Sequence, residues 1–419
     1  MHKNIWTRSK KLKLVKMNGR AGGGKRICIV TALHLCNNPR VWKEANSLAM
    51  AGYEVIILTI FTSASRRAED EILLQSSNIK YNAPINLLPG HSSTSSIFLN
   101  KAISKFSRVA KRFLSVDSPW LLGYSPNRMV NAALEAEADL YIVHVEYGFY
   151  VGKELIKRNK KVAFDFEDWY SQDYHVATRP LKLLQQLESF ALHNGIFCIC
   201  PSATMAAALQ KMYKSPKPVH IIYNGFSIKE NVLNETTPAS IIWFSQTIGP
   251  GRGLETMIEA LSHINQPTNL TLLGNCIKGY DAELKLLLKN KIHTLHFLPA
   301  VQHNDLLPIV AKFDIGLAIE NDYPENKNTT VSNKILQYLQ AGIKTLATNT
   351  AGQVEIADHF IDSIETVAVH QPKEWAMALE RLMNKDGINK VQQQEKFNDL
   401  FSWEAQERKL LQLVSATFK

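Results

Sequence analysis

Two cations stand where a bound anion would make their positions favourable. Arg252 lies between Gly251 and Gly253, immediately before a helix expected to start near Gly253. Flanking glycines let a phosphate approach the backbone closely, and a helix start adds oriented N–H groups. Lys334 falls in the first turn of a helix expected over 333–340, capped by Ser332 and closed by Gly342. A positive charge there opposes the helix dipole unless an anion binds beside it. Ser332 and Thr330 add hydroxyl donors. A second set of polar residues follows apolar runs: His144, then Glu167 and Asp168, then Glu320. Cys28, Cys36, Cys198, Cys200 and Cys276 have no zinc-ligand spacing and read as buried, reduced thiols of a cytoplasmic protein.

Short apolar runs alternating with amphipathic stretches must position these groups. Residues 26–30 and 54–59 read as strands around a helix carrying Val41, Trp42, Ala45, Leu48 and Ala49, which Gly52 closes. Strand, helix, strand in that order implies a right-handed crossover and a parallel sheet. Further strands are expected at 139–143, 161–164, 196–200 and 219–222. A second series follows at 240–244, 269–273, 294–298, 314–319 and 345–348. The fold class is therefore α/β: two doubly wound domains facing a central cleft. Ligands in such sheets lie beyond the carboxyl ends of the strands, which brings His144, Glu167, Asp168, Glu320 and the Ser332 helix start toward the cleft. The expected organisation is a basic flexible tail (1–24), a first domain (25–225), a linker (226–239), a second domain (240–402) and a C-terminal helix (403–419) able to return to the first domain.

Composition excludes other classes. With 45% apolar and 21% charged residues, the chain is neither wholly disordered nor fibrous. No apolar run reaches the roughly 18 residues that a spanning helix needs. No Gly-x-Gly-x-x-Gly follows the first strand, which disfavours a nicotinamide dehydrogenase.

Four stretches, in order from about residue 25 to 415, resemble a bacterial nucleotide-sugar glycosyltransferase of the GT-B fold, close to family 4. They are residues 28–34 with 38–45, residues 164–171, residues 242–255, and residues 332–342 with 347–355. The resemblance implies two Rossmann-like domains. It also implies transfer of a sugar from a nucleoside-diphosphate donor to a glycan or lipid-linked acceptor in surface polysaccharide or glycoconjugate synthesis, with retention of the anomeric configuration. The implied chemistry uses no cofactor and no essential metal. Arg252, Gly253, Lys334 and Ser332 then hold the donor diphosphate. Leu273, Gly274, Leu298 and Val301 line the nucleobase. His144 contacts the transferred sugar, or its backbone supports the reacting centre. Glu167 and Asp168 position the acceptor or assist proton transfer, and Arg40 fixes the first loop or meets the acceptor.

The chain departs from the family pattern in two places. The family places a carboxylate for ribose recognition on the second helix, eight residues after another Glu, but the matching position here is Gln337. The strand-end acid upstream is Glu320, 17 residues earlier. Gln337 can bond a hydroxyl without charge. Gln246 stands where the family commonly has Arg. These departures leave room for two alternatives: a degenerate nucleotide-binding scaffold of a glycan assembly complex, and a GT-B-like sugar-nucleotide epimerase.

The net charge of +10 is unevenly placed. Residues 1–20 hold seven Lys/Arg and no acid. Residues 97–114 mix Phe98, Phe106, Val109 and Phe113 with Lys101, Lys105, Arg108, Lys111 and Arg112, the pattern of a basic amphipathic helix. Both segments suit an anionic membrane surface, giving an expected location in the cytoplasm, peripheral at the inner membrane face. The expected partners are the donor, the acceptor and that surface. Nucleic acid is not expected, because basic and aromatic residues do not interleave in a reading motif.

Overall fold

The computed structural model describes residues 22–174, 176–229, 237–385 and 388–419, apart from the side chains of Pro238, His303 and Asn304. The expected basic segment 1–20 and residues 230–236 of the expected linker lie outside the described residues.

The first sheet contains β1 (Arg26–Val30), β2 (Glu54–Phe61), β3 (Lys80–Asn86), β4 (Leu140–His144), β5 (Val162–Asp165), β6 (Cys198–Cys200) and β7 (Val219–Ile221). All pairs are parallel, in the order β3-β2-β1-β4-β5-β6-β7. The second contains β8 (Thr237–Ile248), β9 (Asn269–Cys276), β10 (Thr294–Leu298), β11 (Phe313–Ala318), β12 (Lys344–Thr348) and β13 (Ile364–Val367), also all parallel, in the order β10-β9-β8-β11-β12-β13. Helices cover both faces, so the central strands are buried apolar runs; β1, β4 and β12 are almost fully enclosed.

Two of the four edge strands, β3 and β13, escape the sequence reading, whereas β7 and β10 fall where strands are expected. β3 (KYNAPIN) and β13 (IETV) are edge strands with half-exposed positions, so neither has the continuous apolar run that marks an inner strand. β8 begins at Thr237, within the stretch expected as linker, because Thr237 pairs with Phe313 of β11.

The last helix, Trp403–Ala416, returns to the first domain. Trp403, Leu410 and Val414 join a core with Ile27, Ile29, Val41 and Leu48, and Trp403 Nε1 donates to Ser47 Oγ at 3.0 Å. Cys28, Cys198 and Cys200 are buried and Cys36 and Cys276 half-buried; all five are free. No helix among the described residues is long and apolar enough to cross a membrane.

Candidate functional site

Each sheet has one point where the strand order reverses. In the second sheet it lies between β8 and β11, since the chain runs outward from β8 to β10 and restarts on the other side at β11. A crevice opens beyond the strand ends at such a point. The loop after β8 carries Arg252, and the end of β11 leads to Glu320. Gly253 caps the helix Leu254–Leu261 with a φ of +74°, and a Cβ there would lie 2.5 Å from Ile319 Cγ2, so only glycine lets the Arg252 loop close onto the end of β11. Arg252 is exposed and donates to Ser245 Oγ at 3.2 Å. Asn321 Nδ2 donates to Gly251 O at 3.4 Å across the same junction.

The helix Asn333–Ala341 points its N-terminus at this edge. Ser332 caps it, accepting from Ile335 N at 3.3 Å, and donates to Gln353 Oε1 at 3.2 Å. Lys334 Nζ donates to Glu320 Oε1 at 2.6 Å and lies 5.9 Å from the centre of the Trp243 ring. Arg252, Glu320, Lys334 and Ser332 thus gather around one strand junction. Glu320 and the Lys334 ammonium form an ion pair within this group. Thr348 ties the Glu320 backbone in place, accepting from its N–H at 2.9 Å and donating to its carbonyl at 2.7 Å.

Gln337 is buried, and its Nε2 donates to Gln340 Oε1 at 3.2 Å. Leu273 is a core residue, whereas Leu298 is exposed and Val301 half-buried. Gly274, at φ +154°, has its open side filled by Ser245 O, 2.2 Å from where a Cβ would stand.

In the first sheet the reversal lies between β1 and β4. His144 ends β4 and is fully buried. Its Nδ1 lies 3.0 Å from Glu167 Oε1 and 3.5 Å from Asp165 Oδ2, and its Nε2 lies 3.3 Å from Glu44 Oε2. Burial opposes a charged imidazole, but Glu44, Glu167 and Asp165 together raise its pKa to about 10. The next residue, Val145, takes φ +57°, a strained conformation for a β-branched side chain, at the turn that opens the helix Val145–Ile156. Arg40 is buried as well: its Nε donates to Asp165 Oδ2 at 2.5 Å, and its Nη1 donates to Ile222 O at 2.7 Å and Asn224 Oδ1 at 3.0 Å. Of the two roles open to it, anchoring the loop fits this burial, and contact with an acceptor does not. Burial pushes Asp165 up, against Arg40 and His144, with charged Glu44 adding to the rise. Glu44, His144 and Asp165 are the group of acids and histidine close enough to hold a metal ion among the described residues, but the Arg40 guanidinium already lies against Asp165 and 3.4 Å from Glu44. A divalent ion would meet that fixed positive charge, so the donor set does not fit a metal.

Glu167 is the partly open end of this cluster. Asn38 caps the helix Pro39–Met50 through its carbonyl oxygen and donates its Nδ2 to Glu167 Oε1 at 2.8 Å. Asp168 faces the other domain and accepts from Asn326 Nδ2 at 3.0 Å, while Asn326 Oδ1 accepts from Trp169 N at 2.8 Å. Burial raises the Asp168 pKa, partly offset by Asn326.

A second bridge between the domains centres on Glu355. It accepts from Ala203 N and Thr204 N, both at 2.8 Å, at the N-terminus of the helix Ala203–Tyr213, and from Tyr223 Oη at 2.5 Å. Ser202 Oγ donates to Thr329 O at 2.5 Å beside it. Sequence reasoning passed over Asn38, Glu44, Asn326 and Glu355 as site residues. Asn38 and Ser202 carry a local signal, a polar residue just before a helix. Asn326 has none, since its partner Asp168 is 158 residues away.

Two family models match the chain: Glycosyltransferase Family 4 over residues 40–230 and Glycosyl transferases group 1 over residues 239–385. Among solved structures, the sucrose-phosphate synthase of Thermosynechococcus elongatus is similar at a TM-score of 0.65 and 15% identity, covering 94% of this chain and 99% of that one. The Anabaena HepE protein in complex with UDP and glucose is similar at 0.62 and 15%, covering 94% and 100%. A UDP-N-acetylglucosamine 2-epimerase, so described, from Listeria monocytogenes is similar at 0.52 and 12%, covering 94% and 97%. No curated protein matches the sequence.

Proposed function

The chain belongs to the glycosyltransferases of the two-domain GT-B class, and from that premise we propose that it moves a sugar from a nucleoside-diphosphate donor to a glycan or lipid-linked acceptor, with retention and without a metal ion. The observation that carries this reading is the gathering of Arg252, Lys334 and the Ser332-capped helix start at the β8/β11 junction. As the bond from the anomeric carbon to the diphosphate breaks, negative charge grows on the departing oxygen. Guanidinium, ammonium and helix N–H groups fixed there stabilise it without reorganising. The diphosphate competes with Glu320 for Lys334 and frees that carboxylate to bond hydroxyls of the ribose or the sugar, whereas Gln337, buried and bonded to Gln340, does not reach them in this arrangement. The acceptor oxygen bonds to the anomeric carbon on the face the leaving group vacates, and its proton passes to the diphosphate oxygen. Backbone at the nearby Leu273–Gly274 and Leu298–Val301 segments supplies groups to read the base edge.

The first domain supplies the acceptor side. Glu167 and Asp168 lie at its cleft edge, one held by Asn38 and the buried imidazole, the other by Asn326. They position the acceptor hydroxyl. His144 acts from behind them, as its burial prevents direct contact with the sugar in this arrangement.

The test is to incubate the purified full chain with UDP-, GDP-, ADP-, dTDP- and CMP-sugars and follow the anomeric proton and free nucleotide by NMR. The expected result is release of nucleoside diphosphate from donors of one base, with the sugar passed to acceptor or, slowly, to water. Interconversion of the nucleotide sugar without release would make the protein an epimerase. Nucleotide binding with no turnover of any donor would make it a scaffold.

A further inference from the structure

The helix Thr94–Leu114 is packed inside out. Its buried residues are small and polar: Asn100, Ser104 and Ser107. Asn100 and Ser104 are satisfied locally, with Ser125 Oγ donating to Asn100 Oδ1 at 2.7 Å, Asn100 Nδ2 donating to Ser96 O at 3.0 Å and Arg108 Nη2 donating to Ser104 Oγ at 3.0 Å. Most of its large apolar side chains face outward, with only Ile97 and Ile103 half-buried. Phe98, Phe106 and Phe113 are 72%, 72% and 74% exposed, with Leu99 and Val109 beside them. A surface helix of a globular domain does the reverse, turning its apolar stripe to the core.

The outward surface is ordered. At about 100° per residue, Phe98, Val109, Phe113, Phe106 and Leu99 fall in one sector roughly 100° wide. Arg108, Lys101, Arg112 and Lys105, all exposed, fall in an adjoining sector roughly 60° wide along one flank. Ser107, Asn100 and Ser104 lie opposite. The 21 residues include no Asp or Glu, and the next acid along the chain, Asp117, is paired with Lys111 at 2.6 Å. The apolar surface continues past the helix end through exposed Leu114 and Val116.

We propose that this face docks on the surface of an anionic lipid bilayer. The Phe sector would seat in the interface, and the Lys/Arg flank would lie on the headgroups. Three features favour a bilayer over a protein partner. The aromatic sector runs from Phe98 to Phe113, about 22 Å along the helix, as a convex ridge and not a pocket. The charge beside it is of one sign. The side chains pair with a plane of anions and acyl chains, the division of labour of helices that lie in a membrane interface. The helix begins just past β3, at the edge of the first sheet to which the ends of β1 and β4 also point. Docking there would hold the rim of the cleft at the bilayer, where a lipid-linked acceptor resides. The inference does not depend on the donor assignment.

The experiment is co-sedimentation of the full chain with phosphatidylcholine vesicles, with and without phosphatidylglycerol. Two variants are compared with wild type: Phe98→Ser/Phe106→Ser/Phe113→Ser, and Lys101→Gln/Lys105→Gln/Arg108→Gln/Arg112→Gln. All seven side chains are exposed, so unchanged circular dichroism is expected for both variants, with melting unchanged for the Phe variant and lowered slightly for the other by loss of the Arg108–Ser104 bond. Wild type should bind the anionic vesicles about tenfold or more tightly than the neutral ones, and less so in high salt. Each variant should lose about tenfold or more of that binding. No wild-type binding to anionic vesicles would overturn the proposal. So would equal binding by wild type and both variants, which would assign the attraction to the basic residues of 1–20. A wild-type dimer in solution that the Phe variant abolishes, without vesicle binding, would overturn it in favour of a second copy of the chain.

Discussion

Arg40 and His144 place two positive charges among Glu44, Asp165 and Glu167, with only Glu167 partly open to solvent. Buried charges persist when paired, and loss of one partner leaves the others uncompensated at a cost of about 3–5 kcal/mol. The His144 imidazole is raised from its ordinary 6.5 to about 10 in the folded protein. Its contribution to stability is therefore complete below about pH 6.5 and is lost as pH climbs through about 10. The melting-temperature advantage of wild type over His144→Gln should be largest at the acid end of that window and shrink toward its alkaline end. Lys43, which burial and Arg40 lower to about 8, titrates in the same range with the opposite sign, but it does so in both proteins and drops out of the difference. An advantage that grew with pH would show that the buried imidazole is neutral.

The loops at the β8/β11 junction depend on how closely their supporting strands approach. Gly274, at the end of β9, leaves room for Ser245 O, and Ser245 Oγ in turn holds Arg252. Gly274→Ala would set a Cβ 2.2 Å from that carbonyl in a conformation that L-residues avoid, so the strand or the Ser245 turn must shift. The expected outcome is a loss of about 2 kcal/mol or more in denaturant unfolding, together with weaker nucleotide binding from the displaced Arg252 loop. A neutral substitution would mean that the junction yields freely. At this scale the sequence was most readable where the strands are buried. β1 and β4 announce themselves as short apolar runs, and Ser332 and Gly342 mark both ends of their helix. Edge strands β3 and β13 lack that signal. The placement of Lys334 near the crevice was legible because a cation in a first helical turn is anomalous. Its pairing with Glu320 was not, since the two residues belong to different elements and only the folded sheet brings them together. The burial of His144, Arg40 and Gln337 was equally hidden, because spacing along a strand or helix does not reveal what covers it.

The two domains meet through adjoining polar contacts, since Asn326 and Thr329 lie on one short helix and Thr329 and Glu355 both bond the Ser202–Thr204 segment. Glu355 of the second domain sits on the N-terminus of a first-domain helix, where its charge complements the dipole. Asn326 joins the second domain to Trp169 and Asp168. These contacts join the domain that carries Glu167 and Asp168 to the one that carries Arg252 and Lys334, the relation on which the proposed transfer rests. Thermal shift of the full chain with UDP, GDP, ADP, CMP and dTDP, repeated with Arg252→Ala and Lys334→Ala, measures that relation most directly. One diphosphate should raise the wild-type melting temperature in proportion to the logarithm of its concentration. Each variant should melt near wild type without ligand and lose most of that rise, since its cation is removed from the phosphate. Equal stabilisation of wild type and both variants would contradict the account, because the leaving group would then bind away from Arg252 and Lys334.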